Sequence, residues 1–197
     1  MRYLSNRSSG KMGYALAAAA VRRGARVALV SGPTGLEAPW GAKLVEVETA
    51  AEMAQAVSKH MAKCDVLLMA AAVADFAPKK SEKKKVKKSK AGPSVALKPT
   101  TDILAQAGKQ KGKTLLVGFA AETGNPVPEA KRKLKAKKLD LVVANDVSLP
   151  DAGFDVDTNR VHLVDKKGAK KLPLLSKEEV AERILDRIVK MSKGKRK

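Results

Sequence analysis

The chain has 197 residues, a single cysteine among them, and its 40 Lys and Arg against 20 Asp and Glu give a formal net charge of +20. That length suits one domain with its own core, and the sequence holds neither a run of about 18 apolar residues able to span a membrane nor a charged-then-apolar leader. One cysteine makes no disulfide framework and no zinc site, which fits a reducing cytoplasm, and three Phe, two Tyr and one Trp are too few for a surface that stacks single-stranded bases.

In chain order, the first polar stretch is SNRSSGKMG (5–13), basic and punctuated by Gly10 and Gly13. It leads into an alanine-rich helix pattern from Lys11 to Arg23, and Gly24 stands where a C-terminal glycine cap belongs. A loop of this kind at a helix start can hold an anion on backbone N–H groups, although SSG in isolation is as readily a simple N-cap. ARVALVS (25–31) predicts a buried strand stopped by Gly32-Pro33, and KLVEVE (43–48) predicts the next. Thr49 and Glu52 form a capping box that opens a helix to about Lys63. DVLLMAAAVAD (65–75) reads as a buried strand running into a loop of small residues.

A block of eight lysines and one acid follows at 79–90, then VALK (95–98), a short strand with no obvious local partner. DILAQAG (102–108) predicts a short helix, TLLVGFA (114–120) a buried strand, PEAKRKLKAKK (128–138) a basic helix and DLVVAND (140–146) the last strong parallel-type strand. NRVHLVD (159–165) and KKLPLLS (170–176) predict a hairpin around Lys167-Gly168. Ser176 and Glu179 form a second capping box, which opens a C-terminal helix ahead of a basic tail at 192–197.

Continuous apolar strands alternating with helices predict a Rossmann-like, three-layer α/β domain spanning 1–197, with a mainly parallel sheet covered on both faces and a C-terminal β-hairpin. Ligands of such sheets bind at the carboxyl ends of the strands, where Ser31-Gly32, Ala71 to Asp75, Glu122-Thr123 and Asn145-Asp146 are the polar candidates. No GxGxxG, Walker loop, HExxH or GxSxG is present, which makes a dehydrogenase a distant candidate. Nearly all of the excess charge lies in 79–90, 131–138 and 190–197, a clustering that suits nucleic acid or a polyphosphate ligand.

Five segments occur in a fixed order: SNRSSGKMG, AAAVADF (70–76), Lys85-Val-Lys-Lys88, GFAAET (118–123), and Lys133-x₃-Lys137-x₂-Asp140 running into Val143-Ala-Asn-Asp146. With them the chain resembles the phosphopantothenate–cysteine ligase domain of the bifunctional coenzyme A biosynthesis proteins, over nearly its whole length. The resemblance implies a CTP-dependent ligation of 4'-phosphopantothenate to L-cysteine through an acyl-cytidylate, with Mg²⁺ accompanying the CTP and no FMN in this domain. It implies that Asn6 contacts the carboxyl and the acyl-cytidylate, with Ser8, Ser9, Gly10, Ala71 and Ala72 at the substrate. Nucleotide contacts fall on Ala71, Asp75, Asp102, Ile103, Phe119, Lys133 and Lys137, and Lys85 begins a basic flap (79–92) that covers the nucleotide. A homodimer is expected, with VALK pairing across the two-fold axis, and a flavin-dependent decarboxylase unit upstream or separate.

Two departures stand out. The family's N-P-D-I loop reads Thr100-Thr101-Asp102-Ile103, so a proline-set backbone is lost. Met1 falls where relatives carry a valine following a strand and a glycine-rich turn, so the expectation is a chain lacking its first strand. The competing expectation is a basic Rossmann-like module that binds nucleotide or nucleic acid without ligase activity.

Overall fold

A computed structural model describes residues 4–80, 94–148 and 156–195. The elements are α1 (Lys11–Arg22), β1 (Val27–Ser31), β2 (Ala42–Glu46), α2 (Ala50–Met61), β3 (Val66–Met69), β4 (Phe76–Pro78), β5 (Leu97–Pro99) and α3 (Ile103–Gln110). They continue with β6 (Leu115–Glu122), α4 (Val127–Ala136), β7 (Leu141–Asp146), β8 (Thr158–Asn159), β9 (Val161–Asp165), β10 (Gly168–Lys171), β11 (Leu175–Ser176) and α5 (Lys177–Lys195).

The main sheet has the order β10-β9-β7-β6-β3. Its β3–β6 and β6–β7 pairs are parallel, and β7–β9 and β9–β10 are antiparallel. The sheet is therefore mixed, with the predicted hairpin (β9–β10) forming its antiparallel edge. Successive residues of β6 and β7 point to opposite faces, as the period of two demands. Leu115, Val117, Leu141 and Val143 join Leu163 of β9 under α1 and α5. Leu116, Ala120, Val142 and Ala144 join Val164 of β9 under α3 and α4. Both faces are covered, which is why these strands read as unbroken apolar runs.

β1 and β2 form a separate parallel pair. Among the described residues β1 pairs only with β2, and the edge of β3 away from β6 carries no strand. The consequence shows in burial: every residue of β3 is half-buried, whereas Leu115 to Gly118 of β6 are all buried. Val30 of β1 and Leu67 and Met69 of β3 nonetheless pack against the cluster around Met53 and Val57 of α2.

Several local expectations are corrected. DVLLMAAAVAD is, as expected, a strand (Val66–Met69) running into a loop (70–75), but the strand is half-buried rather than buried. The strand at VALK begins two residues later and has a local partner, because β5 pairs antiparallel with β4. A second antiparallel pair, β8–β11, extends beyond the hairpin. α5 runs on to Lys195, into the basic tail at 192–197. Both capping boxes form: Glu52 N–H donates to Thr49 Oγ1 (3.1 Å) and Glu179 N–H to Ser176 Oγ (3.1 Å), while Glu52 and Glu179 carboxylates accept from the Thr49 (3.2 Å) and Ser176 (2.9 Å) backbones. Among the described residues no helix is long and apolar enough to cross a membrane.

Two contacts fix how α3 and α4 approach. Lys138, just past α4, has φ 53°, a left-handed conformation costly for a residue with a Cβ. Asp140 compensates: its Oδ2 accepts from Leu116 N–H (2.9 Å) and from Lys111 Nζ (2.8 Å), and Lys111 Nζ also donates to the Lys138 carbonyl (2.9 Å). Gly108 of α3 lies against this turn so closely that a Cβ there would stand 2.0 Å from the Lys137 carbonyl oxygen. Backbone cannot yield as a side-chain tip can. Gly108→Ala is therefore expected to destabilise the protein by about 3 kcal/mol in a denaturant titration, and an unchanged midpoint would show that α3 can retreat from α4 freely.

Candidate functional site

The carboxyl ends of the parallel strands and the start of α1 meet through a connected set of hydrogen bonds. Gly10 is the N-cap of α1, with φ 75° and no side-chain cap, and no acidic residue occupies the first turn. A helix entry built this way leaves the helix dipole's positive end facing the loop. Ser9 is half-buried and its carbonyl accepts from Thr34 Oγ1 (3.4 Å), while Ser8 is exposed.

Asn6 is the link to the next loop. Its Nδ2 donates to the Val73 carbonyl (3.2 Å), which brings SNRSSGKMG against the 70–75 segment. A side-chain amide has two N–H donors, so this bond orients Asn6 and leaves a second donor. Ala71 and the Asp75 side chain are exposed and Ala72 is half-buried.

The Thr100-Thr101-Asp102-Ile103 loop is held by hydrogen bonds. Thr100 Oγ1 donates to the Ala74 carbonyl (2.6 Å) and Thr100 N–H to the Asp75 carbonyl (2.9 Å). Sequence reasoning missed Thr100; the signal available was a hydroxyl next to a helix cap. Asp102 is the N-cap of α3, accepting from Ala105 N–H (2.9 Å), and Lys137 Nζ lies 2.7 Å from its Oδ2. Burial pushes the Asp102 carboxyl up, but the Lys137 hydrogen bond and the Ala105 amide outweigh it and hold the group below the usual carboxylate range. Asp102 is therefore charged at neutral pH, and the stability it contributes is lost only as pH falls through that depressed value. Ile103 is 4% exposed and belongs to the core, so its backbone is what a ligand at this loop could reach.

Lys133 on α4 and Lys137 at its C-cap lie one turn apart, both with side chains about a quarter exposed (26% and 27%). Lys133 Nζ is 2.8 Å from Glu122 Oε1 at the end of β6 and 3.9 Å from Glu129 Oε1. Glu122, a polar strand end in the sequence, thus has Lys133 as its partner. Phe119 is half-buried and packs on the α1–α5 side of the sheet. Gly118 has a packing role, since a Cβ there would stand 2.6 Å from Leu104 Cδ2 of α3. Asp146 closes a turn by accepting from Ser148 Oγ and N–H and from Gly124 N–H. Of the lysine flap (79–92), residues 81–92, Lys85 among them, lie outside the described residues.

An open cleft of about 560 Å³ between α2 and α3 touches the loop through Thr101, with Gln55, Ser58, Lys59 and Gln106 on its walls. It carries no nucleophile with a base beside it. The polar convergence lies instead along the line Asn6, Val73, Thr100, Asp102, Lys137, Lys133.

A family model for the DNA/pantothenate metabolism flavoprotein C-terminal domain matches residues 1–191. The chain belongs to that family. It is 48% identical over 195 residues to the coenzyme A biosynthesis bifunctional protein CoaBC of Bacillus subtilis, covering 98% of this chain and 48% of that protein. It is 45% identical over 193 residues to the CoaBC of Escherichia coli K12, covering 96% and 48%. The crystal structure of a CoaBC C-terminal domain superposes with a TM-score of 0.84 at 42% identity, over 98% of this chain and 88% of that one. The chain thus spans about half the length of the curated relatives it matches. Within this family domain, SNRSSGKMG meets the 70–75 segment through Asn6, GFAAET pairs with β7 and meets Lys133 through Glu122, and Asp140 of the Lys-x₃-Lys-x₂-Asp run is structural.

Proposed function

We propose that the chain is a CTP-dependent phosphopantothenate–cysteine ligase acting in coenzyme A biosynthesis. The observation that carries this is the pair Lys133 and Lys137, presented by one helix next to the Thr100–Ile103 loop and the Val73–Asp75 loop. Support comes also from the family and from the names of relatives at 45–48% identity.

The residues suit the chemistry. A carboxylate of 4'-phosphopantothenate attacks the α-phosphorus of CTP, pyrophosphate leaves, and the acyl-cytidylate is opened by the amine of cysteine with loss of CMP. A triphosphate with about four negative charges must meet an anionic nucleophile, so the barrier is largely electrostatic. Lys133 and Lys137 hold phosphates, and the flap carrying Lys85 supplies further positive charge. Asn6 donates an N–H to the substrate carboxylate, or to the acyl oxygen formed from it, without adding a charge that would make the nucleophile inert. Ser8, Ser9 and Gly10 at the start of α1 and the backbone at Ala71 and Ala72 bind the acid substrate; Asp75, Asp102, Ile103 and Phe119 bound the nucleotide.

Magnesium fits as an ion carried by the phosphates. Among the described residues no three His, Cys, Asp or Glu side chains form a metal cage, and Mg²⁺ characteristically relies on substrate phosphates with few protein ligands. When bound it neutralises phosphate charge; positioning falls to the lysines and loops. The next reaction belongs to a flavin-dependent decarboxylase unit, joined upstream or separate.

CTP with Mg²⁺ is expected to raise the melting temperature while ATP and NADH do not, at 100 times Kd by the equivalent of about 2.7 kcal/mol. Asn6→Asp is expected to cut pyrophosphate release about a hundredfold with the melting temperature kept; wild-type release by this variant would remove Asn6 from the mechanism. The basic clustering favours one alternative, a polyanion-binding module, which salt-dependent duplex binding without any CTP response would support.

We infer in addition that two copies pair through the β4–β5 ribbon. It presents Phe76 (51% exposed) and Leu97 (46%) to solvent, with Val95 (71%) just ahead of β5. A dimer mass is expected from sedimentation at micromolar concentration with CTP present, and a monomer mass would contradict it.

A further inference from the structure

We propose that Glu122 and Asp102 are internal counter-ions, which the nucleotide's phosphates displace from Lys133 and Lys137 and which reclaim those lysines as pyrophosphate leaves. This deepens the CTP-dependent function proposed above and rests on it.

Two ammonium groups at i and i+4 on a helix repel each other. Here each is neutralised by a carboxylate from a different element: Lys133 by Glu122 at the end of β6 (2.8 Å) and Lys137 by Asp102 at the cap of α3 (2.7 Å). Glu129 is 3.9 Å from Lys133, but its carboxylate is already gripped by the fork of Arg132 at 2.6 and 2.7 Å. Glu122 is thus the direct competitor for Lys133. All four groups keep access to solvent, with the Glu122 side chain 29% exposed and that of Asp102 50%. A phosphate can therefore reach the same ammonium groups.

The partners are suited to exchange. A lysine ammonium is a point charge with three donors on a flexible stem, so it can turn from a carboxylate to a phosphate without losing hydrogen bonds. A triphosphate held also by its nucleoside outcompetes the carboxylates. Pyrophosphate, once cut from that nucleoside, faces them without such help. No covalent bond and no proton moves in the exchange; both lysines stay charged throughout. Glu122 has no evident duty in holding its strand, because β6 is anchored there by its register with Asp146 and by Val147 N–H donating to the Glu122 carbonyl (2.8 Å).

The test is titration calorimetry of the full chain with CTP and with inorganic pyrophosphate, each with Mg²⁺, together with pyrophosphate inhibition of turnover. Glu122→Gln is expected to bind pyrophosphate about two- to fivefold tighter, as befits loss of a partly exposed ion pair, and to be inhibited by it more strongly in proportion. KM for CTP should fall while kcat does not rise. In a Lys133→Met background the same change should have less than about a twofold effect, since the contested ammonium is gone. Glu122→Asp, which withdraws the carboxylate, serves if the glutamine variant folds poorly, and should shift affinity in the same direction. Unchanged or weaker pyrophosphate binding in a folded Glu122 variant would overturn the proposal while leaving the ligase function standing. A wild-type protein that binds neither CTP nor pyrophosphate would overturn both.

Discussion

The structure depends on one constraint, the burial of β6 and β7 on both faces. Leu116, Leu141, Val142 and Ala144 are fully shielded from water, so neither strand can carry a polar side chain along its middle without an unpaired buried group. Polar residues are pushed to the strand ends, and Glu122, Asn145 and Asp146 collect where α4 begins. The same burial dictates helices on each face, and the helix covering β7 is the one that carries Lys133 and Lys137. The core thus decides where the charged chemistry can lie.

Packing then sets the distances. α3 can bring Asp102 to Lys137 because Gly108 and Gly118 let it approach the Lys137 backbone and β6. Lys138 tolerates a left-handed turn because Lys111 and Asp140 secure both sides of it. On the other flank, Asn6 and Thr100 fasten the first loop and the Asp102 loop to the same short segment, Val73 to Asp75. Four chain segments far apart in sequence are thus tied by a few polar contacts.

Much of this was legible in the sequence. Strands buried on both faces announce themselves as apolar runs, and Thr49-x-x-Glu52 and Ser176-x-x-Glu179 carried their capping geometry in their spacing. The lysine pair was visible as i, i+4 on a basic helix. Less legible was whatever depended on partners. β4 and β5 are three residues each and contain proline, so no periodicity marks their pairing. The apolar run of 65–75 did show a strand passing into a loop, but not where one ends, because small alanines fit strand and loop alike. The half-burial of β3 is a property of an edge, which a run of Val and Leu does not reveal. In the sequence Glu122 is a strand end and Asp102 the start of a short helix; that each neutralises a site lysine needs the fold to bring them there.

The central claim is that a nucleoside triphosphate binds along the line from Val73 through Thr100 and Asp102 to Lys137 and Lys133. Hydrogen–deuterium exchange with and without CTP and Mg²⁺ tests it most directly, because it reads each segment separately. The expected result is slower exchange on adding CTP in residues 70–76, 100–106 and 118–137, with the β9–β10 hairpin unchanged. Protection confined to the hairpin and α5, or the absence of any change at saturating CTP, would contradict the account.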